Sequence, residues 1–346
     1  MDIGLLFCFR NPDFNRVPWA EFYESEMELA VSAEGLSYDH VWLSEHHFVD
    51  DGYAPSLLPI AAAIAARTTT IRIGTYVLLL PLHNPVRVAE DVATVDIISN
   101  GRFDLGLGLG YRPGEFTGMG IPTQERGPRF QEALPLVQQL LSGEKVTLDG
   151  RFTQVHDIEI IPPPIQRNFP IWVGARNDKQ LDRAARLGCH MASIGAPGHA
   201  EKYVEALNRH GRKEEDHSIA LLLTCYVADS NEQAWKDCAQ PLHHVVSEYQ
   251  AWAEESGDQT GDGAATMAVP SPKEIEEDQA CSIFGRAAVI GDTETVIEGL
   301  RKCYEETRIT HFVLIMALPG AHPDQTRKSM ELFSEYVMPE VRKFAN

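Results

Sequence analysis

Cysteine chemistry is the first thing this sequence lacks. Its six cysteines (Cys8, Cys189, Cys225, Cys238, Cys281 and Cys303) include no C-x-x-C pair and no other short ligand spacing. That excludes a disulfide framework or a cysteine-bound zinc as the organising feature, and the thiols are expected to be reduced and mostly buried. Long apolar runs are missing as well, since none approaches the ~20 residues that a membrane-crossing helix needs. Basic residues are scarce, with 30 against 50 acidic ones and a formal net charge of −20. Neutralising phosphates needs a basic face, so nucleic acid and anionic membranes are excluded as main partners. The surplus acid reads as a solubility feature. Met1-Asp2-Ile3-Gly4 leads straight into an apolar run, without the basic stretch or cleavage site of a signal peptide, so a soluble cytoplasmic protein is expected.

What the sequence does contain is an alternation. Ile3 to Phe9 is continuously apolar, the form of a strand buried on both faces. Pro18 opens a helical stretch that closes at Gly35, with proline at the entry and glycine at the exit. Further strands are expected at His40–Ser44, Ile71–Leu80, Arg102–Leu109, Ile171–Val173, Cys189–Ser193, Ile219–Val227 and Thr310–Met316. Helices are expected at 55–67, 85–98, 125–141, 178–187, 200–210, 232–255, 295–306 and 324–344. The helix at 55–67 is apolar on most sides and is expected to meet another subunit. Lys145 to Ile160 reads as a hairpin turning at Asp149-Gly150, outside the main alternation. The region near 256–286, poor in residues to bury between Ser256 and Pro272, reads as a mobile loop suited to act as a lid.

About eight strand–helix units in a chain of this length imply a single α/β domain over residues 1–346, a (β/α)8 TIM barrel with insertions. A doubly wound sheet is the competing architecture. Its dinucleotide fingerprint G-x-G-x-x-G would need a glycine at 111 or 113 after Gly106-Leu107-Gly108-Leu109-Gly110, where Tyr111 and Pro113 stand. The glycines instead leave room beside a strand for a flat ligand or another backbone.

Strand two ends in Ser44-Glu45-His46-His47-Phe48, and barrel strands place such ends at the mouth where ligands bind. Imidazole, with an unperturbed pKa near ~6.5, suits proton transfer at neutral pH. By itself an adjacent histidine pair more often caps a strand than does chemistry. Residues 46 and 47 point in opposite directions, and His47 is given the structural role. No third ligand sits at useful spacing, so no metal site is expected. His243-His244 reads as surface or packing, and Arg87, Glu90 and Asp91 fit a helix ion pair.

Trp42-Leu43-Ser44-Glu45-His46-His47-Phe48, Ile73-Gly74-Thr75, Asn84-Pro85-Val86-Arg87-Val88-Ala89-Glu90-Asp91, Gly101-Arg102-Phe103 and the closing Ser329 to Pro339 segment resemble bacterial luciferase and the flavin-dependent monooxygenases similar to it. The resemblance covers nearly the whole chain. It implies a (β/α)8 barrel, a homodimer or heterodimer with an intersubunit role for Glu90, and reduced FMN delivered by a separate flavin reductase. O2 and a small organic substrate would complete the reaction. By position it makes His46 catalytic and puts Glu45 near the flavin; Glu45 is counted with His46 in the catalytic set, either fixing the imidazole tautomer or binding backbone amides. Tyr76 and Val77 fall on a non-proline cis peptide beneath the isoalloxazine. Gly174, Ala175, Arg176 and Asn177 fall on the flavin-phosphate segment, where Asn177 also caps the following helix. Gly108 and Leu109 replace a reactive cysteine and a phosphate-binding arginine of the light-producing subunit, so light emission and long-chain aldehydes are not expected. Gly108 and Tyr111 join the cofactor-binding set, and Arg112 or Arg176 takes over the phosphate charge. Two other readings remain open: an F420-dependent hydride-transfer enzyme, and a flavin-binding partner subunit without chemistry of its own.

Overall fold

The computed structural model describes residues 1–256, 269–283 and 285–345. Eight parallel strands form the barrel: β1 (Asp2–Phe7), β2 (His40–Leu43), β3 (Arg72–Thr75), β4 (Phe103–Gly108), β5 (Ile171–Gly174), β6 (His190–Ser193), β7 (Ile219–Val227) and β8 (His311–Ile315). Each pairs with the next, and β8 pairs with β1, which closes the sheet.

Alternation along each strand divides its side chains between two layers. On β1, Leu5 and Phe7 pack outward with the helices while Leu6 joins the inner cluster; on β2, Val41 and Leu43 face out and Trp42 faces in. Trp42, Tyr76, Trp172, Ala192, Ala220 and Val313 fill the interior. The indole of Trp42 fits because glycine stands on both flanking strands. A β-carbon at Gly4 would lie 2.6 Å from Trp42 Nε1, and one at Gly74 would lie 2.3 Å from its Cζ3.

The outer helices are α1 (Trp19–Gly35), α2 (Leu57–Ala65), α3 (Pro85–Ile98), α4 (Arg126–Leu141), α5 (Asp178–Leu187), α6 (His199–Arg209), α8 (Thr293–Glu305) and α9 (Pro323–Leu332), with an inserted α7 (Asn231–Ser256) between β7 and β8. Local chemistry sets their ends. Asn84 accepts from the amides of Val86 and Arg87 ahead of Pro85, and Gly188 closes α5 in the left-handed region. Six of the nine side chains of α2, its leucines and isoleucines among them, are buried within this chain, where the helix contacts α1, α3 and β3; Pro59 is exposed and Ala62 and Ala63 are half-buried, so its composition does not by itself require another subunit. Arg87 reaches Glu90 at 3.1 Å and Asp91 at 2.7 Å on the exposed face of α3.

The hairpin stands as Val146–Asp149 against Gln154–Ile158. The expected single closing helix instead gives way at Phe333–Val337 to a wider turn before a short helix at Met338–Val341. Of the loop expected near 256–286, residues 257–268 and 284 lie outside the described residues. The remainder is more ordered in its pattern than expected. Ser271 and Glu274 form a reciprocal cap on a helix at Pro272–Asp278, and Ser282–Ile283 pairs with Arg286–Ala287. α7 is anchored by its own small core, in which Trp235, Cys238 and Leu242 meet Tyr226, Ile275 and Ile290. All six cysteines are free, and five are buried. No described helix is long and apolar enough to cross a membrane.

Candidate active site

A cavity of about 700 Å3 opens at the C-terminal ends of the strands. Ten of the eleven residues singled out from the sequence line it: Glu45, His46, Tyr76, Val77, Gly108, Tyr111, Gly174, Ala175, Arg176 and Asn177. The Tyr76–Val77 peptide is cis. The Tyr76 hydroxyl anchors this floor by donating to the carbonyl of Ser193 at 2.7 Å.

Arg112 is the exception. Buried at 7 % exposure, it donates to the carbonyl of His47 at 3.0 Å and lies 4.4 Å above the Trp252 ring. Its nitrogens also face Glu115 at 3.7 Å and Glu255 at 3.6 Å. Both terminal nitrogens of this guanidinium thus face protein groups, Nε is buried without a hydrogen-bond partner among the described residues, and Arg112 is not part of the cavity lining. Arg176 is the one of the two candidate arginines that lines the cavity. It is exposed, rests 4.9 Å over the Tyr111 ring, and forms no ion pair among the described residues. Arg126, which sequence reasoning missed, lies on the same wall and is likewise without an ion pair there. The N-terminus of α5 completes this end, where Asn177 Oδ1 accepts from the Gln180 amide at 3.1 Å. Two free cations beside a helix N-terminus make an anion-collecting surface.

His46 has a partner that sequence reasoning also missed. Its Nδ1 is 2.8 Å from Glu115 Oε1, and the same oxygen accepts from the His47 amide at 3.0 Å. Glu115 is fully buried on the short helix Pro113–Gly118, just beyond β4. With Nδ1–H directed at this carboxylate, Nε2 carries the lone pair, and it makes no hydrogen bond among the described residues. Tyr53 and Trp252 pack on the ring at 4.7 Å each. Burial pushes the His46 pKa down from its ordinary 6.5, with Glu115 opposing, so the ring is neutral at neutral pH.

Glu45 does not hold His46. Its Oε1 lies 2.6 Å from His47 Nε2 and 2.7 Å from His83 Nε2, and its Oε2 accepts the Leu79 amide at 2.6 Å. Of the two expected roles, amide binding is the one seen, and the imidazoles it fixes are His47 and His83. Burial raises the Glu45 pKa, but the bonds from His47 and His83 outweigh it and hold the group at about 2. His83 supplies the third metal-ligand-type group absent from the local sequence, with one atom from each of the three within 4.8 Å of the others. His244 is not idle surface either: it lies 2.8 Å from Asp51, which pairs with buried Arg10 at 2.6 Å.

Among the described residues the cavity lining includes no cysteine or lysine, and it brings cationic groups to one end and the His46 imidazole to the other. The comparisons show which proteins the chain is similar to. The oxygenase component of a flavin-dependent trigonelline monooxygenase from Acinetobacter baylyi is 28% identical over 335 residues, covering 92% of this chain and 90% of the relative. An F420-dependent glucose-6-phosphate dehydrogenase from Kineococcus radiotolerans is 36% identical over 170 residues, covering 46% of this chain and 49% of the relative. The crystal structure of monooxygenase RslO1 from Streptomyces bottropensis superposes with a TM-score of 0.81 over 98% of this chain and 99% of that one; at 24% identity this speaks for the fold. The profile of the luciferase-like monooxygenase family matches residues 1–311, and the chain belongs to that family of oxidoreductases.

Proposed function

We propose that the protein is the oxygenase of a two-component flavin monooxygenase, receiving reduced FMN from a separate reductase and using O2 to oxidise a small organic substrate. One observation carries this reading: the cavity pairs an anion-collecting wall of Arg126, Arg176 and the α5 N-terminus with the His46 imidazole, whose Nδ1 is held by Glu115 and whose Nε2 makes no hydrogen bond among the described residues. The residues fit the cofactor. Two guanidinium groups without an ion pair among the described residues suit a phosphate, and the buried Tyr111 hydroxyl has no hydrogen-bond partner among those residues, which leaves a donor for a flavin or substrate oxygen. When bound, reduced FMN supplies the electrons that activate O2.

The chain's own residues do the rest. Arg126 and Arg176 fix the phosphate end, while the Tyr76–Val77 segment and Gly108 floor a flat ring. His46 Nε2 takes or returns the proton that oxygen transfer requires, with Glu115 holding the tautomer. Tyr111, Tyr249, Ile194 and Leu222 offer an aromatic and aliphatic wall to the substrate, shielding it from water. Glu45, committed to His47, His83 and the Leu79 amide, shapes the wall between strand ends.

The test is anaerobic equilibrium titration with reduced FMN, riboflavin and reduced F420. Reduced FMN is expected to bind in the micromolar range or tighter, and reduced F420 far more weakly. Binding of F420 with no affinity for reduced FMN would overturn the assignment and favour hydride transfer, the chemistry named in the shorter F420-dependent match. A His46→Ala variant that keeps full turnover would instead refute the role given to this imidazole.

A further inference from the structure

The opposite end of the barrel carries a cluster that the flavin chemistry does not use. Asp2 opens β1, His40 opens β2 and His311 opens β8, and these strands are neighbours in the closed sheet. Asp2 pairs in register with His311. One carboxylate oxygen and one ring nitrogen from each histidine therefore lie within 4.8 Å of one another.

The surroundings fix what those atoms can do. The Thr310 hydroxyl accepts from the Ile219 amide at 2.9 Å and lies 2.7 Å from His311 Nδ1 and 3.2 Å from the Ile219 carbonyl, which fixes the ring through Nδ1. His311 Nε2 is thereby turned to Asp2 Oδ2 at 3.1 Å. Either a proton on Nε2 or a metal ion bridges two such groups. The distance matches the separation of about 3.3 Å between ligands of a tetrahedral ion held at about 2.0–2.1 Å. His40 is 3 % exposed and stacks 5.1 Å from the Trp42 indole. Its Nδ1 is buried without a hydrogen-bond partner among the described residues, while Nε2 faces Asp104 Oδ2 at 3.6 Å. Asp104 is itself held by Arg72 at 2.7 Å. A histidine held through one nitrogen by a hydroxyl and turned to a carboxylate through the other, beside a second buried histidine with an unpartnered nitrogen, is a surrounding of the kind that metal ligands have.

We propose that Asp2, His40 and His311 form a site for a divalent transition-metal ion of the zinc or cobalt kind, at the N-terminal face of the barrel. Two imidazoles and one carboxylate suit those ions, and the half-exposed Asp2 gives entry and room for a water as fourth ligand. The ion clasps β8, β1 and β2, and at this face of a barrel its effect is on stability. The second cluster of this kind, Glu45 with His47 and His83, is a poorer candidate. There a single oxygen lies 2.6 and 2.7 Å from the two nitrogens, which is hydrogen-bond spacing and too close for ligands of one ion.

The experiment uses metal-stripped protein without a histidine tag, dialysed against Co2+ or Zn2+ alone. One equivalent of Co2+ should bind with micromolar affinity or better, give a visible d–d absorption, and be displaced by Zn2+. At Zn2+ of 100 times Kd the melting temperature should rise by about 4 °C. Asp2→Asn, a near-isosteric change at a half-exposed side chain, and His311→Gln should each weaken binding at least tenfold, while His83→Ala should leave it unchanged. If His311→Gln fails to fold, Asp2→Asn decides alone. Absence of stoichiometric binding, which would mean that only a proton bridges Asp2 and His311, overturns the proposal. So does binding that survives Asp2→Asn or is lost in His83→Ala.

Discussion

Replacing Glu115 with glutamine isolates what its charge does to His46. The side chain keeps its shape, and the amide oxygen can still accept from His46 Nδ1 and the His47 amide, now 2.8 and 3.0 Å from Oε1. Orientation and tautomer should therefore survive. A hydrogen bond to a charged group is worth about 1.5–3 kcal/mol net and a neutral one about 0.5–1.5, so the change removes roughly 1–1.5 kcal/mol. At 1.36 kcal/mol per unit, the pKa of His46 should fall by about one unit. The sign follows from the setting: burial lowers this pKa and Glu115 opposes it, so removing the carboxylate leaves burial unopposed. Nuclear magnetic resonance titration of a protein labelled at histidine nitrogen reads this directly. At neutral pH a step that uses the imidazole as base should change little, while one that draws on the imidazolium should slow about tenfold as that form becomes tenfold rarer. Oε2 of Glu115 has no partner, so the new amide N–H2 will be a buried, unsatisfied donor costing about 1–3 kcal/mol of stability, which denaturant melts will register. An unchanged or raised His46 pKa in the variant would refute the reasoning, because it would mean that Glu115 does not oppose burial at this ring.

Arg126→Gln and Arg176→Gln should each weaken reduced-FMN binding about tenfold, the value of one lost charge-assisted contact, and leave riboflavin binding unaltered in the same titration. Gly106→Ala should abolish soluble expression or cut the melting temperature severely, because the new β-carbon would stand 1.8 Å from the backbone carbonyl oxygen of Thr75. Glu45 should contribute an acid-sensitive share of stability. Its pKa falls from 4.5 to about 2 on folding, so the unfolded chain takes up the proton first; the contribution is complete above about pH 4.5 and is lost as pH drops toward 2. Urea melts at pH 5 and pH 3 should show a smaller drop for Glu45→Gln than for the wild type.

Barrel strands were legible because each is a short apolar run that carries its burial in its own composition, as Leu5-Leu6-Phe7 and His40-Val41-Trp42-Leu43 do. The mouth was legible because β2 ends in titratable residues at a known end of a barrel. Partners across the chain were another matter. His46 and Glu115 are 69 residues apart, and only closure of the sheet brings the loop after β4 beside the loop after β2. The helix carrying Glu115 has six residues and two glycines, too few for a periodic signal. Arg112 and Arg176 were left as alternatives for the phosphate because a sequence shows a positive charge near a site but not what its nitrogens meet; the carbonyl of His47 and the ring of Trp252 meet Arg112, while Arg176 lines the cavity. His83 was missed for the same reason as Glu115. One signal was available: Pro113-Gly114-Glu115 places an acid in the first turn after a proline that can open a helix.

Three buried carboxylates at the mouth follow one rule, and that rule separates His46 from its neighbours. Glu45 is met by His47 and His83, Asp51 by Arg10 and His244, and Glu115 by His46 with Arg112 nearby. A carboxylate taken out of water is tolerated only when donors compensate it, so each of these histidines already has a structural reason to be where it is. Holding a carboxylate is therefore no evidence of catalysis. Access is what discriminates: of His46, His47, His83 and His244, only His46 lines the cavity. A single imidazole that anchors on a buried carboxylate through one nitrogen and faces the cavity with the ring's other nitrogen free can cycle a proton without disturbing the framework. The other three would have to break the bonds that hold the mouth together.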